Sequence, residues 1–206
     1  MKTPKIVSLF LILLFASATY AETYKLSGVY EVTVPNDWLL VPRNDISKLK
    51  KDASDFAKDK KFELDVELKD ISIPLFTYKE KTDGVYSLRV IVGPAELTKQ
   101  EFESLTLSEI NNISNEILKR QIEAFKLAKY PVFSSKSGIA EFKGTQAIRT
   151  EIIYKNSKGF KASRAQYAIY RGSATLLVSL EHIALTGEPN YRLAEAQISS
   201  YKVLAK

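Results

Sequence analysis

ATLLVSLEHIAL, residues 174–185, is nearly all apolar up to Leu180. A run of that length without polar alternation predicts a strand buried on both faces, which calls for helices on both sides of its sheet. Upstream, residues 147–155 and 160–170 flank Asn156-Ser157-Lys158-Gly159, the polar connection of a hairpin. Residues 73–79 and 85–92 form a second hairpin around Thr82-Asp83-Gly84, whose Asp-Gly pair suits a tight turn. Residues 139–142 read as a short strand. Near the N-terminus, Tyr30, Val32 and Val34 alternate with Glu31 and Thr33, the period-2 pattern of a half-buried strand, and Pro35 ends it.

Helical spacing separates these strands. Ile46, Leu49, Ala53, Phe56 and Ala57 predict an amphipathic helix to about Lys60, capped by Asp45. Thr98-Lys99-Gln100-Glu101 is a capping-box sequence opening a short helix. A longer helix from Ser108 carries Ile110, Ile113, Ile117, Gln121 and Phe125 on one face and stops at Tyr130-Pro131. Pro189 opens a last helix, with Tyr191, Ala194, Ile198 and Tyr201 spaced to dock on the sheet. The expected fold is therefore α+β, an antiparallel sheet sandwiched between helices.

The first 21 residues read as a secretory signal peptide. Lys2 and Lys5 precede an apolar segment, residues 6–15, and Thr19-Tyr20-Ala21 offers small residues at the −3 and −1 positions of a cleavage site. The apolar run is well short of the ~20 residues that span a bilayer. Residues 22–206 are then expected to be one domain in the periplasm or outside the cell. Without residues 1–21 the 206-residue chain keeps 185, enough for a core without disulfides, and it has no cysteine. Lys2 and Lys5 leave with the leader, so 28 Lys and Arg face 24 Asp and Glu, a net +4 that is too weak to argue for a nucleic-acid partner.

Tyr30-Glu31-Val32-Thr33-Val34-Pro35-Asn36-Asp37-Trp38, Gly144-Thr145-Gln146-Ala147 followed by Ile148-Arg149, and the apolar strand before Ile198-Ser199-Ser200 stand in an order that resembles the PsbP-like superfamily of α/β/α sandwiches, which takes in bacterial envelope proteins of the DcrB type. The resemblance spans most of residues 28–202 and departs from the family pattern at the lysine-rich residues 48–61. It implies a binding or accessory protein, and it carries over no site residue.

Chemistry sought in the sequence is mostly missing. The chain has one histidine, His182, and no Gly-x-Ser-x-Gly elbow, so the expected role of His182 is structural and a hydrolase is the least favoured reading. One histidine and no cysteine cannot build a zinc site, and no calcium loop, phosphate loop or dinucleotide fingerprint occurs; no metal or cofactor is expected. Glu63, Asp65 and Glu67 alternate as a solvated face. Lys48 to Lys61 reads as a solvated helix face with lysine–aspartate pairs, a membrane-surface role being the sharper alternative. Trp38 is expected to be a core anchor, and Asn112-Ile113-Ser114 matches a glycosylation acceptor inside a predicted helix. The expected function is an exported, non-catalytic accessory protein that binds a protein partner. The alternative is a carrier of a lipid or other apolar small molecule.

Overall fold

A computed structural model describes residues 21–26, 30–35, 37–61, 71–95, 97–172, 174–197 and 200–203. The signal-peptide reading of residues 1–20 and the carboxylates Glu63, Asp65 and Glu67 lie outside them.

In chain order the elements are β1 (Ala21–Leu26), β2 (Tyr30–Pro35), β3 (Leu39–Leu40), α1 (Arg43–Asp59), β4 (Ser72–Lys81), β5 (Gly84–Pro94), α2 (Lys99–Ser104), α3 (Leu107–Leu127), β6 (Val132–Phe142), β7 (Thr145–Lys155), β8 (Lys161–Arg171), β9 (Ala174–Ala184), α4 (Tyr191–Gln197) and β10 (Ser200–Val203). Seven strands make an antiparallel sheet in the order β3-β4-β5-β9-β8-β7-β6, and a small sheet runs β1-β2-β10. The apolar stretch from residue 174 forms β9, the middle strand of the seven. Helices cover both faces as expected: α4 sends Tyr191 and Ala194 onto one, and Phe102, Ile110 and Phe125 of α2 and α3 pack on the other.

Alternation sorts the core. Leu176, Val178 and Leu180 of β9, Tyr86, Leu88 and Val90 of β5, and Ala165, Tyr167 and Ile169 of β8 point to the α4 side, where Val32 and Val34 of the small sheet complete the cluster. The layer over this face is thus part helix and part sheet. Ile148, Ile152, Tyr154, Ala162 and Ala168 point to the α2–α3 side. There Phe102 stacks on Tyr170 at 4.7 Å and Phe125 meets Tyr154 edge-on at 4.5 Å.

Several boundaries differ from the sequence reading, each for a local reason. The cap of α1 is Pro42, not Asp45; Ile46 N–H bonds the Pro42 carbonyl at 3.0 Å, and Asp45 sits in the first turn, where its charge favours the helix N-terminus. Residues 82–83 form the β4–β5 loop, since Lys81 pairs with Gly84 and the glycine begins β5. The capping box at Thr98 is present, and Thr106 with Glu109 forms a second one that starts α3 one residue earlier than expected. Instead of a short strand at residues 139–142, β6 runs eleven residues, and it turns into β7 through Lys143 and Gly144, both at positive φ as a type I′ hairpin turn requires. Asn190 takes the Arg192 N–H at 3.1 Å, so the last helix starts after Pro189 rather than at it. That helix ends at Gln197. Tyr201, expected on it, belongs to β10, because the free edge of β2 offers Ser200–Val203 a ladder of backbone partners.

Candidate functional site

On the α4 side of the sheet, β6, β7 and β8 meet the start of α4 around an open cleft of about 370 Å³. Glu151 of β7 is its hub. Alternation along β7 turns Glu151 and Arg149 to this face, and Lys136 lies directly opposite Glu151 on β6. Lys136 Nζ stands 3.0 Å from Glu151 Oε2, the Arg149 guanidinium 2.9 Å from Oε1, and the Tyr191 hydroxyl donates to Oε1 at 2.8 Å. Burial and then this bond to Glu151 raise the pKa of Tyr191, so it remains a donor. Ser134, Ser135, Ile153 and Ser163 line the cleft beside Arg192. Arg149 and Lys136 share the Glu151 carboxylate, Arg192 adds a further positive charge beside Tyr191, and serine hydroxyls fill the gaps. Such a lining suits polar or peptide groups and does not suit an apolar ligand.

His182 lies nearby, buried in the core. Its ring is 2% exposed, stacks on Tyr86 at 4.4 Å between centroids and 3° between planes, and accepts the Asn190 N–H at Nδ1, 3.0 Å. The nitrogen that a serine nucleophile would need as base is therefore occupied. Nε2 is buried with no hydrogen-bond partner among the described residues. Burial lowers the pKa of His182, with Asp83 opposing in part. Burial and the hydrogen bond to Asp83 push Tyr86 up to about 12.

This burial predicts a pH dependence. Below the unfolded value near 6.5, the unfolded chain takes up a proton that the folded one resists, so stability falls as pH drops through that value toward the folded pKa. Protonation also turns Nδ1 into a donor facing the Asn190 N–H. The chain has no other histidine to titrate in this window. Urea unfolding should show a loss of about 1–2 kcal/mol between roughly pH 7.5 and 5. In His182→Gln that slope should be absent; an equal slope in the variant would assign it elsewhere.

The opposite face holds a second charged group that the sequence reading missed. Arg164 of β8 and Glu181 of β9 are directly opposite one another, and Arg164 bonds Glu181 Oε1 through Nε at 2.9 Å and a terminal nitrogen at 2.8 Å. The Tyr154 hydroxyl donates to the same oxygen at 2.5 Å. Burial opposes ionisation of Glu181, but the Arg164 charge and these hydrogen bonds overcome it and hold the carboxyl below the usual range. Arg89 of β5 packs its guanidinium 4.5 Å from the Phe76 ring centroid. The signal for this group was the pair of charges inside otherwise apolar strands. It reads as a structural cross-strand network.

The remaining candidates fall into structural roles. Lys51 pairs with Asp55 at 2.6 Å on the exposed face of α1, Lys60 pairs with Asp59, and Lys50 Nζ donates to the Ile71 carbonyl at 2.6 Å. Trp38 is buried in the core. Asn112-Ile113-Ser114 lies within α3, where the buried Ser114 donates to the Asn111 carbonyl at 3.0 Å, so the acceptor sequence is locked in helix. Among the described residues, no group of three or more His, Cys, Asp or Glu side chains could hold a metal ion, and no helix is long and apolar enough to cross a membrane.

No family model matches the chain, and no curated protein matches it. Among solved structures it is similar to LpqN, involved in cell envelope biogenesis of Mycobacterium tuberculosis, at 15% identity over 75% of this chain and 70% of that one, with a TM-score of 0.40. A Bacteroides thetaiotaomicron protein is similar at 8% identity over 86% of this chain but 46% of its own, with a TM-score of 0.40. PsbP-like proteins are among these similar structures: cyanobacterial PsbP from Synechocystis matches at 12% identity over 92% of this chain and 96% of its own, with a TM-score of 0.47.

Proposed function

We infer that this chain is an exported, non-catalytic accessory protein of the cell envelope, one domain after removal of residues 1–21, that binds an extended segment of a partner protein along the edge of β6. The observation that carries the reading is the edge itself. Among the described residues β6 pairs only with β7, so the far side of residues 134–141 presents backbone donors and acceptors to an incoming strand. The register break at Phe133 and the exposed Lys136 guard this edge against indiscriminate pairing, as natural edge strands require. Beside it, the cleft around Glu151 offers hydroxyl and ionic groups to side chains of the added strand.

A photo-crosslinking residue at Ser135, expressed in the producing cell, tests this. The expected result is a discrete adduct whose linked peptide maps to one segment of one protein, and no such adduct from the same residue at Leu40 on the opposite edge strand β3. Adducts at Leu40 alone would move the interface to the other edge. Native mass spectrometry addresses the carrier alternative, since an added mass of lipid size would favour it.

A further inference from the structure

The sheet has two ends, and one of them is strongly basic. Strand pairing brings together there the α3–β6 turn, the β7–β8 turn, the end of β9 and the β4–β5 loop: Lys155 N–H bonds the Pro131 carbonyl at 2.9 Å, Lys155 pairs with Lys161, Ala184 pairs with Gly84, and Leu185 N–H bonds the Asp83 carbonyl at 2.9 Å. These turns expose Lys81, Lys126, Lys129, Lys155, Lys158 and Lys161. From β4 to β6 they span five strand spacings, about 24 Å at ~4.8 Å each. The carboxylates at this end are Glu188, which pairs with Lys161 at 2.7 Å, Asp83, which is bound by Tyr86, Asp37, which pairs with Lys79, and the exposed Glu80 beside Lys81; Glu123 lies a turn back along α3.

Large apolar side chains stand among the lysines. Phe133 is 57% exposed, Leu185 46% and Phe160 37%, and Lys161 Nζ lies 5.9 Å from the Phe133 ring centroid. Exposing them costs free energy that a lipid surface would recover. The composition separates two kinds of partner. Protein interfaces are enriched in arginine and in aromatic residues, phenylalanine included, and depleted in lysine; here two exposed phenylalanines stand among six lysines and the turns hold no arginine, so the excess of lysine separates this end from a protein interface. Lysines with phenylalanine and leucine at the tips are the mixture that adheres to anionic bilayers, where the charges meet the headgroups and the apolar tips enter the boundary.

We propose that this end of the molecule docks on an anionic phospholipid surface, with Phe133, Phe160 and Leu185 entering the headgroup boundary and the surrounding lysines meeting lipid phosphates. Docked in this way, the molecule stands with its strands directed toward the bilayer and the edge of β6 facing sideways, open to a partner. The inference does not rest on the partner-binding reading, and the variants below leave residues 134–141 untouched.

Flotation with vesicles of phosphatidylcholine alone, and of phosphatidylcholine mixed with phosphatidylglycerol, tests the proposal. The expected result is association with the mixed vesicles only, weakening as salt rises. Each lysine near such a surface contributes about a fivefold factor, so Lys155→Gln with Lys158→Gln should weaken binding about 25-fold. Lys155 closes β7 and Lys158 lies in the turn that follows, both exposed, and the variant should melt with the parent. In Phe160→Trp, mixed vesicles should shift the emission of the new indole to the blue, over the background of Trp38, the single native tryptophan. Failure to float with mixed vesicles at low salt overturns the proposal. So does equal binding to phosphatidylcholine alone, or unchanged binding in the double variant. An acidic soluble protein held by these lysines while vesicles are not bound overturns it in favour of a protein contact.

Discussion

Replacing Gly84 by alanine should lower the stability of the fold by about 3 kcal/mol, more than its single added methyl group would cost at an open position. A Cβ at this position would lie 2.3 Å from the Ile183 carbonyl oxygen and 2.4 Å from His182 Nε2, with Cδ2 of the same ring at 2.9 Å. Neither neighbour can give way cheaply. The carbonyl belongs to β9, hydrogen-bonded on both sides at the middle of the sheet. The imidazole is pinned between the Tyr86 ring and the Asn190 N–H. Gly84 thus earns its place through close approach, since it starts β5 in extended conformation and is not among the glycines at positive φ. Gly93→Ala is the control on the same strand: its Cβ would meet only the Ile71 Cγ1 at 4.0 Å, and its effect should stay within about 0.5 kcal/mol. In a His182→Ala background two of the three close contacts vanish but the carbonyl remains, so the added cost of Gly84→Ala should shrink without disappearing. Denaturant unfolding of the four variants decides the matter. A cost under 1 kcal/mol for Gly84→Ala in the wild-type background would contradict the packing.

The same corner shows where sequence reading succeeds and where it stops. Asp83-Gly84 marked a turn correctly, yet the glycine serves a ring almost a hundred residues away, and nothing local in the sequence points to that contact. Strands that bury one complete face, such as β5 and β9, betray themselves by alternation or by an apolar run, and the capping boxes are written in four residues each. β6 hides because its exposed half reads Phe-Ser-Ser-Lys; an edge strand gains its ladder from one neighbour and needs little apolar content of its own. β10 hides because Ile198 and Tyr201 fit helical spacing, while the deciding factor is the open edge of β2, about 170 residues earlier in the chain. Likewise the hub at Glu151 could not be inferred. Its partners come from β6, β7 and α4, and only register sets Lys136 opposite it. Helix capping and alternation are local physics, whereas close approach, edge pairing and charge grouping depend on topology.

Arg164→Met should destabilise the protein by about 3–5 kcal/mol, because it strands a carboxylate rather than because it removes an attractive pair. The Glu181 side chain is 13% exposed and the Arg164 side chain 29%. With the guanidinium gone, Glu181 keeps the Tyr154 hydroxyl, and Arg89, which also draws its pKa down, stays beside it. The remaining groups only partly replace the lost charge and its two hydrogen bonds. The folded carboxyl, now held below its unfolded value, should then move upward. The sign follows from linkage: in the wild type this carboxylate adds stability above the unfolded value near 4.3, which is lost as pH falls through the folded pKa. In Arg164→Met the carboxyl should be easier to protonate folded than unfolded, so the deficit should shrink as pH is lowered from 7 toward 4. Glu181→Gln keeps the shape and should leave Arg164 and Arg89 repelling without a counter-charge, for a cost of about 2–3 kcal/mol with no such relief in acid. Replacing both partners, Arg164→Met with Glu181→Leu, should cost less than either break alone, since no orphaned charge remains. Urea titrations of the three variants at pH 7 and 4.5 give the comparison. If the double variant is as unstable as the sum of the single breaks, the two side chains are not coupled and the stranded-charge account fails; if it recovers most of the loss, the network fixes the register of β8 on β9 more than it stabilises the fold.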